Sequence, residues 1–487
     1  MRARQRSTTT RSRLAVAGVT LALTVGGLGG IATTQAQATA PRAAKAATYT
    51  TSDNPLLGTW GVYNARTQDN QVYNAWATAT GANKQMLARL ALRPRVTWFG
   101  AWQSNDRIQK LVGNYIANIK AQNPSAISMM AMFGIKNWEA ARSQRHWSAA
   151  YIKEYKQWVD NAARGIGTSR VMLVLQPDLI YAVENDHPAV PLSMIRYAAQ
   201  KFGSLKNTTV YLDAGARDYV PSHGVSMVKT LKSAGIQYAR GFSLNDTHHD
   251  STNAEIGYGN TLAAGLAKAG LPHHFVISTS SNGHPSTVAT LKTNVDAPAC
   301  ASKSQTRCLG LGLPPTTATS APYWGITAKN KTIAKRLVDG FVWVDRPWLT
   351  EQSKGSKFTT SRAVTLGRNT PFVAFTTKSP TATLGLGDVR KGAAAGATRK
   401  NISIHNGSSK YNMTIDSIRF TSSNGGGRWA KAASSTCRTG SFVAPGKSCT
   451  LTVAFTPVKT GYAKVFLQVA TNTNNPVTRH LQAHVVG

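Results

Sequence analysis

Short runs of apolar residues punctuate this chain, and most end in a polar or acidic cluster before a helix-like stretch begins. They read VMLVLQPD to Asp178, TVYLDAG with Asp213, ARGFSLND with Asn245, HHFVISTSSNG with Asn282 and DGFVWVDRP to Asp345. A run that is apolar at nearly every position is buried on both faces, as a parallel strand covered by helices is. RVTWFGAW (95–102) and AISMMAMFGI (126–135) add two such runs. MLARLAL (86–92) and AAYIKEYKQWVDNAARGI (149–166) space their apolar residues as helix faces do. At least seven βα units over 54–351 predict a distorted, incomplete TIM-like parallel α/β barrel of the seven-stranded type. Such a fold places its chemistry at the C-terminal ends of the strands.

The texture changes after Glu351. Residues 352–369 are polar and basic and read as a linker. From 370 to 487 short alternating runs take over: KNISIHN, YNMTIDSIRF, SCTLTVAFTP, AKVFLQVATN and RHLQAHVV, separated by Gly, Pro, Asn and Ser. Period-two alternation between turn residues predicts an all-β sandwich. It carries few acids, Asp388 and Asp416, among many Lys and Arg.

Charge sharpens this picture. The 487 residues hold 56 Lys and Arg against 20 Asp and Glu, a formal net charge of +36. That field favours anionic partners such as wall polymers, nucleic acid or a membrane surface. The cations are scattered, and no RNA-binding aromatic motif, zinc-finger spacing or phosphate loop accompanies them, so no specific nucleic-acid partner is expected. Arg2, Arg4, Arg6, Arg11 and Arg13 precede an apolar run from Leu14 to Ala32, and Ala36-Gln37-Ala38 fits a small-x-small cleavage site. Residues 1–38 therefore read as a secretion signal, with a retained anchor as the alternative, and 39–53 as a flexible segment. No later stretch is long and apolar enough to span a bilayer. The expectation is a secreted, extracellular monomer able to associate with the cell wall. Cys300 with Cys308 and Cys437 with Cys449 form two local pairs, which in an oxidising compartment read as disulfides, with metal binding as the alternative.

Candidate chemistry begins with Asp178 and Asp213, each just past a buried strand and expected to be neighbours on one rim. Two carboxylates in one cleft supply what glycosidic hydrolysis needs, an acid for the leaving oxygen and a second group for water or the cation. The alternative for each is a cap on the following helix. Trp60, Trp98, Trp102, Trp138 and Trp348 lie near strand ends, where indoles stack on the apolar faces of sugars; Trp98 and Trp102 also suit the barrel core. His248-His249 beside Asp246 or Asp250 lacks a third ligand at fixed spacing, so no metal and no cofactor are expected.

The segments LQPDL, VYLDAG, RGFSLN, FVISTSSNG and DGFVWV, with NPLLG (54–58) and VTWFGAW (96–102), resemble in order those of the family 6 glycoside hydrolases, the cellulases and cellobiohydrolases. The resemblance implies a secreted glycosidase that cleaves β-1,4-glucosidic bonds in cellulose or a related β-glucan with inversion. By resemblance Asp178 is the general acid and Asp213 a rim aspartate that supports the site. Glu139 falls where the family has an aspartate assisting the acid, Trp98 matches a sugar-stacking tryptophan and Asn245 a sugar-contacting asparagine. Trp102 is a further candidate for the sugar, and Glu351 stands for a carboxylate of a later family segment. The C-terminal region resembles the immunoglobulin-like repeats of bacterial secreted enzymes, an attachment module whose basic surface suits an anionic cell-wall polymer.

Departures from the family are several. Phe133 replaces a tyrosine, Trp138 an arginine, Gln176 a glutamate and Asp345 a lysine, and one stacking tryptophan near Cys300 is not recognisable. These changes leave a second reading, a non-catalytic carbohydrate-binding or wall-adhesion protein on a decayed hydrolase barrel.

Overall fold

The computed structural model describes residues 54–487 apart from short stretches at 123, 136–146, 185–186, 288–296, 322–323, 351–354, 372–376, 380–381, 408–412, 422–424, 440, 445 and 472–476. The expected signal, the segment 39–53, Glu139, Trp138 and Glu351 all lie outside the described residues.

Seven parallel strands pair in chain order: β1 (Thr97–Gly100), β2 (Ser128–Phe133), β3 (Val171–Leu175), β4 (Thr208–Asp213), β5 (Gly241–Leu244), β6 (His274–Ser278) and β7 (Val338–Val342). Their side chains alternate between two cores, which is why the runs are apolar throughout. Met129, Ala131, Met172, Val174, Tyr211, Val276 and Val342 fill the barrel interior with Trp60. Met130, Met132, Leu173, Leu175, Leu212, Phe242, Phe275 and Phe341 face the helices. The covering layer includes α3 (Asn105–Gln122), α4 (Ala149–Ile166), α5 (Ala189–Gly203), α6 (Met227–Ala234), α7 (Thr252–Lys268) and α8 (Ala328–Leu337), after α1 (Gln71–Thr78) and α2 (Gly81–Ala91). Ser148, Ser251 and Thr327 cap α4, α7 and α8 through their hydroxyls.

The barrel does not close by a strand ladder. β1 and β7 are the two edges of the sheet. Across their seam run the bonds Val96 N–H to Trp343 O, 2.9 Å, and Trp98 Nε1–H to Val344 O, 2.8 Å. At the N-terminal end of β7, Asp339 accepts from Arg240 Nε at 2.9 Å, Arg240 Nη2 at 3.1 Å and the Tyr211 hydroxyl at 2.7 Å, all buried. Burial pushes the Asp339 carboxyl up, but His274 and Arg240 outweigh it and hold it below its ordinary range.

The stretch 352–369, read as a linker, is in part a packed helix. α9 (Thr360–Asn369) buries Ala363, Val364 and Leu366 against Leu87, Leu90 and Ala91 of α2. The polar composition hid a short amphipathic face, and Arg362 is spent on the Pro347 and Ala297 carbonyls at 2.6 and 2.8 Å.

The C-terminal region forms two facing sheets. Thr377–Lys378, Thr398–Asn406, Ser448–Pro457 and Gly427–Lys431 make one; Leu384–Arg390, Val477–Val486, Gly461–Thr471, Met413–Thr421 and Phe442–Val443 make the other. Ile402, Ile404, Leu451 and Val453 meet Ile415, Val465, Leu467 and Leu481 between them. Both expected cysteine pairs are disulfides, Cys300–Cys308 and Cys437–Cys449. The sandwich rests on the barrel: Arg419 donates to the carbonyls of Trp60 and Val62 at 3.4 and 3.5 Å. Among the described residues no helix is long and apolar enough to cross a membrane.

Candidate active site

Among the described residues, three of the four non-glycine residues with left-handed backbone lie just past barrel strands: Gln176 (φ 52°), Asp178 (φ 61°) and Asn245 (φ 64°). Such backbone costs energy and persists where surrounding contacts enforce it. Asp178 precedes a short 3₁₀ turn, Leu179–Ala182, yet its side chain makes no cap bond there. Capping therefore does not explain it. Its Oδ1 instead accepts the Thr247 hydroxyl at 2.6 Å, from the loop after β5.

Asp213 is buried at the end of β4. Its Oδ2 accepts the N–H of Leu179 at 3.0 Å and of Gly215 at 3.2 Å, tying its loop to the residue after Asp178. Burial, then the charges of Asp246 and Asp178, hold its carboxyl well above the ordinary range. Asp246 is equally buried and accepts the Ser243 hydroxyl at 2.5 Å. Burial raises it to about 7 against the stabilising hydrogen bonds of Ser243 and Asp213. Two hydrogen-bonded buried carboxyls that cannot both ionise share a proton. The chemistry available is thus an acid on an enforced backbone, Asp178, beside a carboxyl pair.

Asp246 was not singled out for this role from the sequence, where it stood only as a possible ligand beside the histidines. Its signal was present, a second acid-bearing residue directly after a buried strand. What was missing is that the β4 and β5 ends bring it to Asp213.

Asn245 departs from its expected role. It is fully buried; its Nδ2 donates to the carbonyls of Ser278 (3.0 Å) and Asp250 (3.3 Å) and its Oδ1 accepts Asp250 N–H (3.1 Å). The amide is turned inward and braces the loops after β5 and β6, which leaves no face for a sugar. Trp60 is likewise core, 5% exposed and bonded to Leu56 O. Trp102 is 58% exposed and stands over Gly100, where an added Cβ would lie 2.1 Å from the indole. Trp98 is half-buried in the top layer of the barrel, and with Trp102 and Trp348 it lines a cleft of about 490 Å³ at the β1–β7 seam. Asp178, Asp213 and Asp246 do not line that cleft.

Behind the carboxyl pair, His248 Nδ1 meets Asp218 at 3.0 Å. Burial disfavours the imidazolium, but Asp218 outweighs it and raises His248. Burial and the neighbouring His248 push His249 down to about 4. Asp218, Asp250 and Glu255 place carboxylate oxygens within 4.8 Å of one another, a set able to hold a hard cation. Arg217 already occupies it, its Nε donating to Asp250 at 2.6 Å and its backbone N–H to Glu255 at 3.0 Å. Burial also holds Glu255 well above its ordinary range.

The raised acids carry a pH signature. Between pH about 4, where an unfolded Asp titrates, and about 7, where folded Asp246 does, the folded chain binds more protons. Unfolding free energy should therefore fall as pH rises through that window. Asp178, Asp213 and Glu255 face Asp246 and contribute to its environment. Asp246→Asn is expected to flatten the decline, as read by urea unfolding from pH 4.5 to 8. An unchanged slope would mean that the pair does not share a proton.

Residues 59–350 match the sequence family described as Glycosyl hydrolases family 6. The chain is 29% identical over 217 residues to Endoglucanase A of Cellulomonas fimi, covering 44% of this chain and 46% of that one. It is 29% identical over 219 residues to Endoglucanase 1 of Streptomyces halstedii, covering 43% and 66%. The matches thus span about half to two thirds of these relatives. The structure of a GH6 enzyme from Orpinomyces sp. Y102 superposes with a TM-score of 0.50 at 20% identity, over 65% of this chain and 97% of that one, a likeness of fold.

Proposed function

Because the chain belongs to family 6 of the glycosyl hydrolases, we propose that it is a secreted enzyme that hydrolyses β-1,4-glucosidic bonds of cellulose or a related β-glucan with inversion. The observation that carries this reading is Asp178 on left-handed backbone, bonded to Thr247 and set beside the Asp213–Asp246 pair. Asp178 protonates the leaving oxygen. Asp178 lies near enough to Asp213 and Asp246 for its charge to help raise both of their carboxyls. Asp213 also fixes the Asp178 loop through Leu179 N–H. Trp102, with its exposed indole, offers a stacking face to the glucan at the rim. Within this reading Glu139 assists the acid and Glu351 completes the site.

Inversion requires a water on the face opposite the leaving group, so the first product is the α-anomer. Early-time NMR of cellohexaose hydrolysis should show that anomer first. An initial β-anomer contradicts the mechanism, and no hydrolysis of any soluble β-glucan favours a non-catalytic binder.

The sandwich, with Asp388 and Asp416 as its acids among many cations, serves in the same reading to hold the enzyme on anionic wall polymer. Retention of the full chain on such polymer should be strong at 0.1 M salt and lost at 1 M, as the Debye length falls from about 10 to about 3 Å. Salt-independent retention would contradict it.

A further inference from the structure

Beside the seam cleft lies a second, smaller recess, between the start of α3 and the first turns of α4. It encloses about 140 Å³, and its walls include Trp102, Gln103, Asn105, Tyr151, Tyr155 and Trp158. Asp178, Asp213 and Asp246 do not reach it. Trp102 lines both this recess and the seam cleft, so its indole is the step between the two spaces.

The recess is built to receive a ring. Trp158 and Tyr155 are buried in its wall, whereas Trp102 is 58% exposed. An exposed indole keeps apolar surface in water until a ligand covers it. The six-membered ring of Trp102 is seated against Gly100, where an added Cβ would lie 2.1 Å from it. An indole held in this way loses little freedom when something stacks on it. The walls are fixed as well. Trp158 Nε1–H donates to Gln103 O at 3.0 Å, Asn105 Nδ2 to Glu154 O at 3.2 Å and Asn161 Nδ2 to Asn105 O at 2.7 Å, which ties the start of α3 to α4. Gln103 Oε1 accepts the Gly100 N–H at 2.8 Å, which orients the amide and leaves its NH₂ group to donate.

The charge of the recess narrows the ligand. The chain carries 56 Lys and Arg, yet none of them lines this space. A site without a cation suits a neutral ligand. Aromatic faces beside an oriented amide match a sugar ring, whose C–H face is apolar and whose hydroxyls accept hydrogen bonds. From this geometry we infer that the recess is a distal subsite for one neutral pyranose unit of the glucan, entered from the seam cleft across Trp102. The inference rests on the glycosidase reading and adds to it a preference for longer chains.

The test titrates cellotriose, cellotetraose, cellopentaose and cellohexaose by calorimetry into the full chain carrying Asp178→Asn, which keeps the oligomers intact. Filling the recess should appear as one step in the series at which affinity rises about fivefold, the scale of one added aromatic contact. Tyr151 lines the recess and not the cleft, so it tells the two apart. Tyr151→Ala and Trp102→Ala, each added to Asp178→Asn, should both remove most of that step. Should Tyr151→Ala lose its melting transition, Gln103→Glu, which keeps an acceptor for the Gly100 N–H and removes the amide donor, carries the test. A series without the step overturns the inference. So does a step that survives Tyr151→Ala, which would place the added sugar in the seam cleft instead. Hydrolysis of cellohexaose by the parent chain is measured alongside. If it proceeds while the series shows no such step, only the subsite is wrong; if the chain neither binds nor cuts any of the oligomers, the glycosidase reading falls with it.

Discussion

Asp178→Asn is expected to lower hydrolysis of unactivated β-glucan by roughly 10²–10⁴-fold, the range of a positioned general acid. Asn is the informative replacement because it tolerates the left-handed backbone at this position, φ 61°, whereas Ala adds strain of its own. It keeps an acceptor for the Thr247 hydroxyl and removes only the transferable proton. Melting temperature should stay close to the parent, since the side chain makes no cap bond. Activity on substrates with a good leaving group should fall far less, because they need little protonation. A uniform loss on both substrate types, or parent-level cleavage of cellohexaose, would remove Asp178 from the role of acid.

Asp339→Ala is expected to destabilise the fold by about 3–5 kcal/mol, the cost of leaving a buried charge without its partner. Arg240 is 2% exposed and would lose both of its bonds to Asp339. Tyr211, which donates to the same carboxylate, would lose that bond as well. Replacing Arg240 and Asp339 together by Leu should cost clearly less than the sum of the single changes. Because the folded Asp339 carboxyl is held below its ordinary range, its contribution is present above pH about 4 and is lost as pH falls through the folded value. Urea unfolding at pH 7 and pH 3 measures both effects. A loss under 1 kcal/mol at pH 7 would show that water replaces the carboxylate at the barrel floor.

The raised acids at the opposite end of the barrel oppose that trend. Asp213, Asp246 and Glu255 favour folding at lower pH, whereas Asp339 favours it at higher pH. The strand ends near the candidate acid therefore store electrostatic cost, while the floor returns it as an ion pair. This division is the usual one for a barrel, stability below and chemistry above.

The apolar runs were sufficient for the architecture, because a strand buried on both faces has few polar positions at which to hide. Val171–Leu175 and His274–Ser278 are buried at every position, and both were legible as strands from composition alone. The sandwich was legible for the complementary reason: the alternation of Ile402 and Ile404 with polar neighbours is a period-two pattern that one buried face imposes. The helix Thr360–Asn369 was not, since three buried apolar residues among polar ones leave too weak a period to read.

At the site, position along a strand was legible and direction was not. Sequence alone placed Asp178, Asp213 and Asn245 at strand ends, because the apolar runs stop there. It had no means to show that Asn245 turns inward to bond Ser278 and Asp250 carbonyls, or that the neighbouring Asp246 meets Asp213. Those outcomes depend on left-handed backbone at one residue and on the pairing of β4 with β5, both set by contacts distant along the chain. The same holds for the cleft: Arg95 and Trp348, like Arg346 and Trp98, are some 250 residues apart and meet only where the barrel fails to close. Local pattern determined which elements form and what chemistry their ends carry; tertiary packing decided which of those groups face one another, because burial, charge coupling and orientation arise only when the strand ends converge.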